Sequence, residues 1–327
     1  MLQYILRRTL LVIPTLLVVS LVTFIVIQLP PGDYLTSYIS NLAAQGETVD
    51  QDRIDALTVQ YGLDRPMYLQ YIKWLWRFMQ GDMGVSFLWN KPVNELIWGR
   101  VGLTLALSLT ALIIQWLIAI PLGIYSAVRQ YSIPDYILSA WTFVAAGVPH
   151  FLIALVLMWV VWSVAGFNVS GMFSRDYVHA PWSWEKVVDL LKHIWVAVLI
   201  LGLLGGAGLM RTMRANLLDE LNKPYVQTAR AKGVQERKLL IKYPVRVALN
   251  PFVSTVGWTL PRLISGTTIT SIVLGLPTTG PLLYEALTAQ DMYLAGSFLM
   301  ILSILTIIGT FLSDILLGAL DPRIRYG

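Results

Sequence analysis

The sequence has no cysteine, only three histidines and few charges. The missing thiols exclude disulfide frameworks, iron–sulfur clusters, thiolate zinc sites and cysteine nucleophiles. Only 13% of the 327 residues are charged, while 56% are hydrophobic. A soluble domain carries about 25% charged residues, so this chain cannot clothe a water-facing surface of its size. That balance excludes a soluble enzyme and makes a multi-pass membrane protein the expected class. No glycine is followed directly by lysine, so the phosphate loop that would cradle ATP is missing. Neither His-Glu-x-x-His nor Gly-x-Ser-x-Gly occurs, and His150, His179 and His193 stand far apart. No metal site is expected. Proton-coupled transporters bury acids in several spans, whereas Asp314 is the clear intramembrane acid candidate here. The net charge of +5 and isoelectric point near 9.3 do not point to nucleic acid, because the charges lie between hydrophobic runs, where topology accounts for them.

What is present supports that class. Mean hydropathy is +0.64, and twelve Trp with fifteen Tyr suit aromatic belts at two interfaces. Six apolar runs approach bilayer length: Thr9–Leu29, Val101–Val128, Ile137–Gly166, Ile194–Met210, Pro251–Leu276 and Ala295–Leu320. The fourth is short but extendable through Leu191 and Met213, and the fifth is interrupted by Pro261, Arg262 and a run of Ser, Gly and Thr. The first run is too long for a cleavable signal, and Gln28-Leu29-Pro30-Pro31-Gly32 lacks the small-x-small cleavage pattern. An all-α fold of six transmembrane helices is expected.

Six spans place both termini on one side. With Arg7 and Arg8 in the cytoplasm, segments 1–8, 129–136, 211–249 and 319–327 are cytoplasmic and hold fourteen of the 24 Lys and Arg. That is the positive-inside bias of an inserted protein, so both termini are expected inside. The expected organisation is a tail and first helix (1–29), an external insert (30–100), a core of five helices (101–320) containing the cytoplasmic loop 211–249, and a cytoplasmic tail (321–327). Within the insert, Asp50–Gln60 has helical spacing, and Tyr68–Met79 reads as an aromatic amphipathic helix. Its stripe is Tyr68, Tyr71, Ile72, Leu75 and Trp76, at steps of three and four. Packing on the membrane surface or the bundle is the simpler role for that stripe, and a solute-contacting lid the sharper one. A second external segment, 167–193, carries Trp182, Trp184 and His179.

The most informative stretch runs from Asn222 through Gly233 to Pro244. Asn222 is expected to cap a helix whose first turn accommodates Pro224. Gly233 is expected to end it in a left-handed conformation that a side chain would penalise. A second helix is expected from about Gln235. Two short helices hinged at a glycine make a rigid cytoplasmic protrusion.

Here the chain resembles the inner-membrane permeases of ATP-binding-cassette importers, whose pattern is Glu-Ala-Ala, three residues and Gly. Gln227-Thr228-Ala229-Arg230-Ala231-Lys232-Gly233 stands in that register, with the Glu and first Ala replaced as in the peptide branch. Leu6-Arg7-Arg8 and Pro31-Gly32-Asp33 resemble that branch's amino terminus. Tyr61-Gly62-Leu63-Asp64-Arg65-Pro66 and Gly81-Asp82-Met83-Gly84-Val85-Ser86 resemble its insert, and Leu276 through Gly280 with Asp321 through Tyr326 its last span and tail. The chain is identified as resembling the dipeptide, oligopeptide and nickel permease family.

The resemblance implies the type I importer permease fold, with an external insert after the first helix, in a bacterial or archaeal plasma membrane. It implies that Tyr225, Gln227, Thr228, Ala229, Arg230, Ala231, Lys232, Gly233 and Glu236 form or brace a coupling helix seated in a groove of an ATPase subunit. Small Ala229 and Ala231 would allow close approach, and Arg230 and Lys232 would meet acids or carbonyls at the groove rim. The implied partners are a second homologous permease, two ATPases that hold ATP and magnesium, an external solute-binding protein and the lipid bilayer. The chain itself would bind no cofactor and catalyse nothing.

Two departures bear on cargo. The family often has an acid where this chain has Ser271, and the external side is rich in Trp: Trp74, Trp76, Trp89, Trp98, Trp182 and Trp184. Peptide and oligosaccharide both stand as cargo. Ser265, Thr267, Thr268, Thr270 and Ser271 offer hydroxyls for a wet passage, and His150 stands as a further pathway candidate. A membrane-embedded enzyme would need paired acids or a nucleophile–base pair, and Asp219-Glu220, the adjacent acidic pair, sits in the basic loop. A passive channel would leave the helix pair unexplained.

Overall fold

The computed structural model describes residues 2–28, 58–59, 64–178, 180–254 and 268–320, without side chains for 2–11, 27 and 312–320. His179, Pro261, Arg262, Ser265, Thr267, the tail 321–327 and all of Asp50–Gln60 except Thr58 and Val59 lie outside those residues. So do the side chains of Arg7, Arg8 and Asp314. The described chain is helical, and its one β-type pairing is an isolated bridge between Val85 and Pro92.

Thirteen α-helices follow in order among the described residues: α1 (Leu2–Gln28), α2 (Met67–Met79), α3 (Val93–Val128), α4 (Ile133–Gly147), α5 (His150–Ala165), α6 (Trp184–Val198), α7 (Ala207–Leu221), α8 (Pro224–Ala231), α9 (Glu236–Lys242), α10 (Pro244–Ala248), α11 (Thr268–Val273), α12 (Thr279–Thr288) and α13 (Met292–Leu320). Among the described residues three helices are long and apolar enough to cross a membrane: Val93–Val128, Trp184–Leu221 and Met292–Phe311. The expected third span is not one straight helix, because α4 and α5 meet at 101°. Proline pushes its predecessor into extended backbone; Val148 has ψ 127° and Pro149 opens α5. If the bent pair is one span, it makes a fourth. The apolar part of α1, Val12–Val26, is shorter, and most of the expected fifth span lies outside the described residues.

The expected fourth span is longer at both ends. Helix α6 passes through a π-helical turn at Leu199–Leu204 into α7, so the segment expected as a loop from 211 stays helical to Leu221. The wide turn has a visible cause. Gly205 N–H donates to Ile200 O (3.3 Å), and Gln115 of α3 donates from Nε2 to Leu201 O (2.6 Å). A side chain inserted into the ladder is a recognised origin of such bulges. Glycine lets α3 come this close: a Cβ at Gly202 would lie 2.8 Å from Ile114 Cγ2.

The chain divides into two compact units, residues 1–102 with 281–307 and residues 103–280 with 308–327. In the first, α2 packs on α1 through one edge of the stripe expected from sequence, where Tyr71 is the shared residue. Trp74 is 2% exposed, and its ring lies 6.4 Å from Phe24 and 6.0 Å from Phe78. Tyr71 stacks edge-on with Phe24 at 5.4 Å and shares a 2.8 Å hydrogen bond with Ser20. Tyr68, Ile72 and Trp76 are exposed. The face that packs is thus Tyr71, Trp74 and Phe78: the apolar arc is wider than the contact with α1, with Gln70, Lys73 and Arg77 on the remaining side, and periodicity alone does not choose which part of the arc packs.

The same unit explains the Gly81–Ser86 motif. Asp82 accepts from Gly84 N–H (2.9 Å) and from Arg77 Nε (2.8 Å). Gly84 has φ +80°, and a Cβ there would lie 2.6 Å from the Tyr293 ring. Ser86 donates to Asp291 (2.5 Å), which also accepts from Leu88 N–H (3.1 Å) and caps α13 through Leu294 N–H (3.0 Å). The motif is a fold determinant.

The second unit has two apolar clusters. One gathers Ala111 of α3, Ala154 of α5, Val196 and Ile200 around Leu274 and Leu276. The other gathers Ala127 of α3, Met213 and Leu217 of α7, and Val245, Ala248 and Phe252 of the α10 region. This second cluster seats the protrusion.

Candidate functional site: the short helix pair

The protrusion is built as a stalk, a short helix, a glycine corner and a returning helix. Asn222 does not cap it. Its own φ of −89° and ψ of −3° are helical, so it closes α7, with Nδ2 donating to Leu218 O (3.1 Å). Lys223, with ψ 147°, supplies the extended backbone an N-cap needs, without a side-chain bond, and Pro224 occupies the first turn.

At the far end Gly233 has φ +75°. Gly233 N–H bonds Arg230 O (3.0 Å), and Val234 N–H bonds Ala229 O (3.3 Å). These are the two bonds of a Schellman close, which needs a left-handed residue where glycine carries no penalty. A Cβ at Gly233 would meet nothing within 4 Å, so the requirement is conformational. The second helix begins at Glu236.

Val226 and Leu239 are fully buried and anchor the pair. Ala229 is half-buried, one turn from Val226, so it faces the anchoring side. Tyr225, Gln227, Thr228, Arg230, Ala231, Lys232 and Gly233 are exposed. The face available for docking is therefore carried by Ala231 and its neighbours.

Internal bonds stiffen this face. Tyr225 Oη donates to Glu220 of the stalk, and Thr228 Oγ1 donates to Pro224 O (2.9 Å). Burial and the Glu220 carboxylate push the Tyr225 phenol up from its ordinary value. Arg230 forms a fork with Glu236 within the chain: Nη2 to Oε1 is 2.6 Å and Nε to Oε2 is 3.1 Å. The guanidinium holds the Glu236 carboxyl below its ordinary value. The pair bridges the glycine corner between α8 and α9 on the exposed side.

One constellation escaped the sequence reading. Asp135, in the first turn of α4, is 2% exposed. It accepts Arg214 Nε at Oδ1 and Nη2 at Oδ2, both at 2.9 Å. Ser126 of α3 donates to the same carboxylate, as does Tyr131 N–H (2.9 Å), whose residue has φ +64°. Ser126 Oγ also accepts from Arg214 Nε at 3.1 Å. The sequence separations of 79 and 88 residues left no local signal.

The other candidates are scattered. Thr270 and Ser271 are buried in α11, while Thr268 is half-buried beside Gly280, where a Cβ would lie 2.7 Å from Thr268 Oγ1. His150 is half-buried at the start of α5, beside the bend. Ser265 and Thr267 lie outside the described residues.

Helices long and apolar enough to cross a membrane, linked by a pair of short helices turned at a glycine, define a multi-pass membrane protein. Residues 119–326 match the binding-protein-dependent transport system inner membrane component, and residues 1–108 match the N-terminal membrane component of the same systems. The chain belongs to this family, the multi-pass permease subunits of ATP-binding-cassette importers. It is 34% identical over 327 residues to the oligopeptide transport system permease protein AppB of Bacillus subtilis, covering all of both chains. It is 35% identical to a putative peptide permease protein of Brucella ovis, with 99% of each chain covered. The dipeptide transport system permease protein DppB of Escherichia coli K12 is 30% identical, over 100% of this chain and 99% of its own.

Proposed function

We propose that the chain is the permease subunit of an importer for peptides, driven by ATP hydrolysed on partner subunits. The observation that carries this reading is end-to-end similarity to relatives named as oligopeptide and dipeptide permeases. The exposed α8 face fits a coupling helix that docks into an ATPase groove. In this reading two ATPases, which bind ATP and magnesium, close on ATP binding and carry the coupling helices with them. The spans tip from inward- to outward-facing, and an external binding protein delivers the solute. A second homologous permease completes the pathway, in a bacterial or archaeal plasma membrane with both termini cytoplasmic.

Peptide is favoured over oligosaccharide on two grounds. The relatives carry peptide names, and Trp74, one of the aromatic candidates for sugar stacking, is consumed in packing α2 on α1. The hydroxyls Ser265, Thr267, Thr268, Thr270 and Ser271, with His150, stand as pathway candidates in the same proposal. Thr270 and Ser271, being buried, reach such a passage only if the spans rearrange.

Reconstitution decides the cargo. The permease pair, two ATPases and the native binding protein in liposomes should accumulate a labelled oligopeptide when ATP is supplied, and leave a neutral oligosaccharide outside. Sugar uptake without peptide uptake overturns the cargo. ATP-independent uptake of both overturns the importer.

A further inference from the structure

The Asp135–Arg214 pair joins three elements at one end of the second unit: the end of α3, the α3–α4 turn and the stalk α7. Arg214 stands two turns before Leu221, where the stalk ends and the coupling protrusion begins. Close packing surrounds it. A Cβ at Gly123 of α3 would lie 2.6 Å from Met213 Cβ and 2.9 Å from Met210 O. On the other side, Phe252 stacks edge-on with Trp116 at 6.2 Å, within the cluster that seats α10. The stalk is thus gripped by apolar contacts, whose attraction is non-directional.

A bidentate fork does what apolar contact does not. It fixes direction as well as distance, since two parallel N–H···O bonds break on a small rotation. Asp135 is buried and Arg214 a quarter exposed; replacing such an ion pair with apolar groups is often neutral for stability, so the pair is weak evidence of stabilisation. We propose that Asp135 and Arg214 are positioning residues that make α4, the first arm of the bent α4–α5 pair, follow the stalk when the coupling helix moves. Ser126 and Tyr131 N–H hold the carboxylate so that the turn travels with it. The inference rests on the importer reading above and deepens it.

The test uses the complete complex in liposomes with peptide-loaded binding protein, and measures ATP hydrolysed per peptide imported. Asp135→Asn keeps the shape and loses the charge, and Arg214→Lys keeps the charge and loses the fork. Either should raise the ratio by roughly 2- to 30-fold, the range for substitutions along coupled networks, with assembly preserved. The double variant Asp135→Leu with Arg214→Met removes the unpaired charge, so it assembles even where a single variant does not. It should still show the raised ratio. A wild-type ratio in the double variant, or failure of all three to assemble, assigns the pair to stability alone and overturns the inference. Absence of ATP-dependent peptide uptake by the wild-type complex removes the importer reading and the inference with it; equal ratios in wild type and assembled variants remove only the inference.

Discussion

Ser86 and Asp291, 205 residues apart in sequence, share a 2.5 Å hydrogen bond in the interior of the first unit. Asp291 is fully buried, and the same carboxylate caps α13. Asp291→Ala should leave Ser86 Oγ, Leu88 N–H and Leu294 N–H without their acceptor, at about 1–3 kcal/mol for each buried orphan. Thermal unfolding in detergent should shift down strongly, whereas Ser86→Ala, which removes the bond to Asp291 and the acceptor of Trp89 N–H but leaves the α13 cap, should shift it less. An equal shift would show that the cap matters little.

Gly81 and Gly84 separate two sources of strain. Both have positive φ, but a Cβ at Gly81 meets open space and one at Gly84 meets the Tyr293 ring. Gly81→Ala should cost about 1 kcal/mol, from backbone conformation alone. Gly84→Ala should cost more, because Tyr293 must also move. Unfolding midpoints of the two variants in the same detergent compare them directly.

Gly233 carries the conformational requirement without the steric one. Gly233→Asn should retain most transport, since asparagine tolerates the left-handed region. Gly233→Val should lose it while the protein still inserts. Peptide uptake normalised to membrane-inserted protein measures both, and normal uptake by the valine variant would remove the hinge argument.

The Arg230–Glu236 bridge has a defined pH window. Glu236 is depressed below its ordinary value of 4.5 when paired. Its contribution is therefore present above that value and lost as pH falls through the depressed one. Amides at 230–236 should exchange at a pH-independent corrected rate between about 6 and 8. Glu236→Gln should accelerate their exchange at neutral pH, and unchanged exchange would show the corner to be held by Gly233 alone.

Orientation is open to labelling, because no native cysteine interferes. Gln235 and Glu185 are both exposed. A cysteine replacing Glu185 should react with an impermeant maleimide from outside intact cells, and one replacing Gln235 only after permeabilisation. The reverse pattern would invert the topology.

Much of the protrusion was legible in the sequence. Pro224 and Gly233 impose backbone conformations, so their places as first turn and corner follow from residue type alone. Asn222 misled because its side chain suits either end of a helix, and the backbone around Lys223 decided between them. The packing of α2 was legible in part: Tyr71 belongs to the stripe read from sequence, but Tyr68, Ile72 and Trp76 are as apolar as Trp74 and Phe78, so residue type does not choose which part of the arc meets α1. Asp135 and Arg214 carried no local signal, since their pairing depends on the turn after α3 and on the path of α7. The bend at Pro149 had a visible cause, but its angle is set by packing.

The π-helical turn at Leu199–Leu204 sets a phase for everything after it. An α-helix rotates by about 100° per residue, and a widened turn absorbs one extra residue without lengthening the helix by a full step. Met210, Met213 and Arg214 therefore point where they do because of a residue inserted more than two turns earlier. Deleting one residue from that turn would leave every downstream side chain chemically intact and aim each of them at a different neighbour.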